Sequence, residues 1–129
     1  MLIEDDRITV QIITMLLKKI PFTKQVDVAE NTNQAINYFS RLKQSENSEL
    51  FPDMILMDIY MPGTDAFGFL DIYQEQFESF FQIDDIYILT SSLNPVDQLR
   101  ARQYPFIKNF LSKPLTAAML ASIGLKKPC

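Results

Sequence analysis

The stretch from Phe51 to Gly63, FPDMILMDIYMPG, decides the fold. Met54, Ile55, Leu56 and Met57 make an apolar run of strand length, bounded by Pro52 before it and the Pro62-Gly63 turn after it. That is the pattern of a strand buried on both faces. The run ends on one acid, Asp58. In open α/β sheets the C-terminal edge of the strands is where ligands bind, so such a strand delivers Asp58 to a reactive position.

Upstream of this strand, Met1 to Ile3 reads as a very short strand that breaks into Glu4, Asp5 and Asp6. From Arg7 the periodicity becomes helical, and returns of three to four residues predict a buried face of Ile8, Ile12, Met15 or Leu16, and Ile20 before Pro21. Gln25 to Glu30 alternates and predicts a second strand, with Val26 and Val28 inward against Asp27. Asn31 to Lys43 reads as a helix capped by Asn31 or Thr32, with Ala35, Ile36, Phe39 and Leu42 as its buried stripe. Gln44 to Phe51 is polar and loop-like.

Downstream, Asp65 to Phe81 carries Phe67, Leu70, Phe77 and Phe81 along one helical face. Phe69, Tyr73 and Phe80 form a second stripe, read either as core packing or as a docking patch. Ile86 to Leu89 is a further strand and runs into Thr90-Ser91-Ser92. Asn94-Pro95 opens a helix that reaches about Tyr104, and Phe106 to Leu111 is the last strand. Thr116 caps a final helix with Met119, Leu120 and Ile123 inward and Gly124 at its end.

Strands that alternate with helices in this way imply an α/β, doubly wound, five-stranded parallel sheet with right-handed crossovers. The order 2-1-3-4-5 is the common solution for five strands, and it sets strands 1 and 3 about 5 Å apart. Glu4 and Asp5 then face Asp58 at one edge.

The 129 residues are the size of one ordinary domain, 1-129, and 47% hydrophobic content supports a single substantial core. A net charge of −4 argues against direct contact with nucleic acid or an anionic membrane. The lone cysteine, Cys129, allows neither an internal disulfide nor a cysteine metal site, which makes a reducing compartment the default. With no histidine, the chain has no Ser-His or Cys-His nucleophile pair and no imidazole ligand. The N-terminus lacks the pattern of a signal peptide, and no apolar run reaches the ~20 residues of a membrane span. A soluble cytoplasmic protein is the expectation.

Three carboxylates gathered at one edge repel one another, and they either take up a proton or bind a cation. Oxygen-only ligands suit a hard divalent ion such as magnesium. The plainer reading of Glu4-Asp5-Asp6 is a solvated turn. Thr90 and Lys113, at the ends of strands 4 and 5, bring a hydroxyl and an ammonium to the same edge. The Lys113-Pro114 bond is a candidate for the cis form, which occurs almost only before proline.

These residues together resemble the receiver domain of bacterial two-component response regulators. Glu4-Asp5 looks like its acidic pair, Asp58 within LMDIYMP like its phosphoacceptor, and Thr90-Ser91 like its hydroxyl and small-residue pair. Phe110 looks like its switch aromatic, and Lys113-Pro114 like its lysine with a cis proline. The resemblance spans essentially the whole chain and implies a flavodoxin-like (βα)5 fold. It implies magnesium or manganese held by Asp5, Asp58 and the Tyr60 carbonyl, with Glu4 acting through water. It also implies phosphorylation of Asp58 by a sensor histidine kinase or a phosphotransfer protein, with an output through protein contact. Tyr104, Lys108 and Phe110 fall on a face that members of this family often use for partners.

The chain departs from the family pattern at several positions. Ala66 stands where glycine is usual; if that position needs positive φ, alanine carries a strain of roughly 1–2 kcal/mol. Thr32 replaces a common glycine, and Tyr60 is bulkier than the usual residue two places after the acceptor. A second functional class is a phosphohydrolase with an aspartate nucleophile, which typically carries another acid at the position of Tyr60. A third is a phosphorylation-independent interaction module, against which the full set of acids, hydroxyl and lysine argues.

Overall fold

The computed structural model describes residues 1–21, 23–61, 66–90 and 95–123. The five strands β1 (Leu2–Ile3), β2 (Val28–Ala29), β3 (Met54–Asp58), β4 (Asp85–Thr90) and β5 (Asn109–Ser112) form one sheet. Its order is β2-β1-β3-β4-β5 and every pairing is parallel, the flavodoxin-like arrangement expected. The helices are α1 (Arg7–Lys18), α2 (Thr32–Ser45), α3 (Ala66–Gln76), α4 (Glu78–Phe81), α5 (Pro95–Ala101) and α6 (Ala117–Ser122).

The two-residue period of the strands sorts the core into two layers. Ile3, Ile55, Met57, Ile86 and Ile88 face α2, α3 and α4 and join Phe39, Phe69, Leu70, Tyr73, Phe77 and Phe81. Leu2, Leu56, Tyr87, Leu89 and Leu111 face the other way, against Ile13 and Leu17 of α1 and Leu120 of α6. β3 is buried on both faces because helices cover both, as its unbroken apolar run requires.

Local capping follows the side chains. Asn31 caps α2 by accepting the Gln34 N–H at 2.8 Å, and Thr116 caps α6 by accepting the Met119 N–H at 3.2 Å. Thr32 is therefore the first helical residue and not the cap. Ala66 is helical and buried, and its φ is not positive, so no left-handed strain arises there.

Four expectations are corrected. In α1 the buried face is Ile13 and Leu17, with Val10, Leu16 and Ile20 partly buried. Ile8, Ile12 and Met15 lie on the solvent side at 67%, 47% and 62% exposure. The segment carries two overlapping apolar stripes, and contact with β1 and β3 selects the second. In β2 the inward residue is Ala29; Val28 is exposed. The helix expected to run from Asp65 to Phe81 is two, interrupted at Phe77, whose ψ of −32° and φ of −121° leave the helical range. Phe77 stays buried, and Phe69 and Tyr73 are buried too, which assigns the second stripe to core packing; only Phe80 is substantially exposed. The helix from Asn94 ends at Ala101, short of Tyr104.

Ser91, the Pro62-Gly63 turn, the Asn94 cap, Gly124 and Cys129 lie outside the described residues.

Candidate functional site

The sheet register builds the site. Leu2 pairs with Leu56 and Ile3 with Met57, so the next residues on these strands, Glu4 and Asp58, meet at the C-terminal edge. Both share the parity of Leu2 and Leu56, and Lys113 shares that of Leu111, which sends all three side chains to the α1 and α6 side. Glu4 is fully buried and Asp58 nearly so, while Asp5 is exposed.

One ammonium joins the two buried acids. Lys113 Nζ donates to Asp58 Oδ2 at 2.9 Å and to Glu4 Oε1. The other Asp58 oxygen, Oδ1, accepts the Tyr60 N–H at 2.8 Å. Glu4 Oε2 accepts the N–H groups of Asp5 at 3.0 Å and Asp6 at 3.3 Å, which turns the chain from β1 into α1. Lys113 is itself held from strand to strand, since its N–H donates to the Thr90 carbonyl at 2.9 Å. Thr90 is buried at the end of β4, and the Lys113-Pro114 bond is cis.

The electrostatics follow from burial and shared charge. Burial pushes the Glu4 carboxyl above its ordinary value, against the hydrogen bond from Lys113, and the neighbouring Asp58 charge adds to the rise. Burial alone would lower Lys113, but the hydrogen bonds and charges of Glu4 and Asp58 prevail and hold it above its ordinary value. The lysine is therefore a stable cation facing a carboxylate oxygen.

The donor set fits a hard divalent cation. Glu4, Asp5 and Asp58 can each offer one carboxylate oxygen with all three within 4.8 Å of one another, and Asp5 opens the group to solvent. Among the described residues this is the one such cluster. The Tyr60 side chain, 65% exposed, stands at the rim. Phe110 is half-buried on β5 against the aromatic layer.

The sequence model of the response regulator receiver domain matches residues 1–123. The chain belongs to that family. A two-component response regulator from Cytophaga hutchinsonii is 28% identical, superposes with a TM-score of 0.80, and is matched over 95% of this chain and 90% of its own. One from Legionella pneumophila is 25% identical with a TM-score of 0.77, over 95% and 91% of the two chains. The signal receiver domain of a signal transduction histidine kinase from Syntrophus aciditrophicus, 24% identical with a TM-score of 0.70 over 95% and 83%, shares the fold. No curated protein sequence gives a significant match. Membership places this receiver domain in phosphorelay signalling. No helix among the described residues is long and apolar enough to cross a membrane.

The structure thus brings together Glu4, Asp5, Asp58, Thr90 and Lys113. The residue-level reading missed two features: Glu4 is the second counter-ion of Lys113, and the Tyr60 N–H orients Asp58. The first depends on how far Lys113 reaches along the sheet edge from the end of β5, which only the fold sets; the second is an aspartate side chain accepting the N–H two residues on, a turn that aspartate favours.

Proposed function

We propose that this receiver domain accepts a phosphoryl group on Asp58 from a phosphohistidine of a sensor kinase or phosphotransfer protein, and that the change in charge alters a partner-binding face. The observation that carries the reading is the Lys113 ammonium set against Asp58 Oδ2 beside a cation-competent acid cluster. Asp5, Asp58 and the Tyr60 carbonyl, with Glu4 through water, would hold a divalent cation such as magnesium or manganese, which would supply charge neutralisation for the incoming group.

The rest is done by the chain itself. The Tyr60 N–H holds Oδ1, leaving Asp58 oriented to attack. An Asp58 oxygen forms a bond to phosphorus as the phosphorus–nitrogen bond to the donor imidazole breaks, and the imidazole leaves with the electron pair and takes up a proton. Lys113 stabilises the charge that spreads over the transferring oxygens. The product carries close to two negative charges where the carboxylate carried one, together with several acceptors, which draw on the Thr90 hydroxyl and Ser91 and let Phe110 repack. Turnover is self-catalysed transfer followed by slow hydrolysis, not catalysis on a free substrate, and the setting is cytoplasmic, with neither nucleic acid nor membrane as a direct partner.

Incubation with acetyl phosphate and magnesium followed by intact-mass measurement tests this. Wild type gains one phosphoryl group and Asp58→Asn gains none. An unmodified wild type, or equal labelling of both, overturns the mechanism.

A further inference from the structure

α5 is mostly solvent-facing. Among its residues Ala101 alone is buried. The turn that follows is tied to α3. Tyr104, 8% exposed, reaches from that turn to α3, where its hydroxyl donates to Asp71 Oδ1 at 2.6 Å and lies 3.4 Å from the Phe67 carbonyl oxygen. Its ring stacks on Phe67 with centroids 6.4 Å apart and planes 23° apart. The Arg100 guanidinium sits 4.1 Å from the centre of the same Phe67 ring. A charge-assisted hydrogen bond and a cation–π contact thus tie α5 and the turn after it to α3.

Both partners adjoin the site. α3 follows the loop that leaves Asp58, and α5 follows Thr90 after a short connection. A helix drawn at its N-terminal end toward a phosphoryl group, while pinned beyond its C-terminal end, must pivot on the pin or release it. Phe110 packs against the cluster that contains Phe67, Ala101 and Tyr104, so the pin lies in the same packed layer as Phe110.

We propose that the Tyr104–Asp71 hydrogen bond is a latch that holds α5 in its unphosphorylated position, and that its opening is coupled to phosphorylation of Asp58. This rests on Asp58 being the phosphoacceptor. Linkage then requires that weakening the latch favour phosphorylation, since a change that destabilises the resting state shifts the population toward the state the phosphoryl group prefers.

The test uses Tyr104→Phe, which keeps the ring and its stacking, and Asp71→Ala, at an exposed position that tolerates truncation. Hydrogen exchange of the α5 amides in the unphosphorylated chain rises roughly three- to tenfold in each variant, the effect of one lost hydrogen bond, while exchange in α2 is unchanged. Labelling by acetyl phosphate with magnesium accelerates by a factor in roughly the same range, and the double variant exceeds neither single one, because both remove one interaction. Unchanged α5 exchange overturns the latch. Raised exchange with unchanged labelling, in a wild type that does label, overturns its coupling to Asp58 and leaves a structural tether. A wild type that never labels is a failure of the phosphoacceptor reading and removes the coupling with it, and the exchange measurement distinguishes that result from an absent tether.

Discussion

Two buried regions of this domain are held by opposite means. Between α2, α3 and α4, the Phe39 ring lies within 5.3 to 6.2 Å of Tyr38, Phe69, Tyr73, Phe77 and Phe81, in mostly edge-on or tilted pairs. Such pairs contribute about 0.5–1.5 kcal/mol each beyond the apolar area they bury. At the C-terminal edge, Glu4 and Asp58 are equally buried but share one ammonium, and the cost of desolvating them offsets much of their attraction to it. The aromatic layer stabilises the scaffold, whereas the acid edge holds two carboxylates out of water beside one ammonium at some expense in stability.

The largest expected effect breaks the first half of this contrast. Phe39→Ala, at the centre of the aromatic layer, loses about 3–5 kcal/mol in chemical denaturation and still labels on Asp58 wherever it remains folded. A loss under about 1 kcal/mol would mean that the aromatic layer is not the stabilising region.

Next in size is Lys113→Met, which leaves two buried carboxylates facing each other. It costs about 2–3 kcal/mol, less than the ~3–5 of a fully buried broken pair, because Glu4 can take up a proton and Asp5 opens the site to water. Magnesium added to this variant raises its melting temperature more than that of wild type, since a cation replaces the missing charge. Equal shifts in the two proteins would separate the acid cluster from the lysine.

A smaller effect sharpens the rim of the acid edge. Tyr60 is held at its backbone by Asp58 while its side chain remains exposed. Tyr60→Asn opens the acyl phosphate to water and speeds dephosphorylation by up to about tenfold, a change of about 1.4 kcal/mol in the barrier, with stability unaltered. Equal decay of the two phosphorylated proteins would show that this ring does not screen the site.

The smallest expected effect concerns α1. Ile12→Gln changes stability by no more than about 0.5 kcal/mol, since Ile12 is solvent-facing, whereas Ile13→Ala loses about 2–4 kcal/mol. The two side by side, in one denaturation series, check which stripe of α1 packs on the sheet.

Much of the fold is legible in particular residues. The apolar run ending on Asp58 specifies a central strand because only a strand covered on both faces is apolar at every position. Asn31 and Thr116 mark helix starts through the oxygen each offers to the N–H three residues on. The acids, Thr90 and Lys113 were legible as a set because parallel strands deliver their ends to one edge. α1 was not legible in the same way, because Ile8, Ile12 and Met15 alternate with Val10, Ile13 and Leu17, and periodicity alone fits either stripe. The break at Phe77 is unmarked by glycine or proline; Phe77 and Phe81 both pack against Phe39 across it.

The sequence by itself determined the alternation of strands and helices, the strand that carries Asp58, and the residue types at the C-terminal edge of the sheet, since these depend on spacing along one chain. Tertiary structure alone decided which face of α1 is buried, that Glu4 and Asp58 share Lys113, and that Tyr104 reaches Asp71. Each of these depends on how elements distant in sequence approach one another, and that approach is set by packing both sides of the sheet at once.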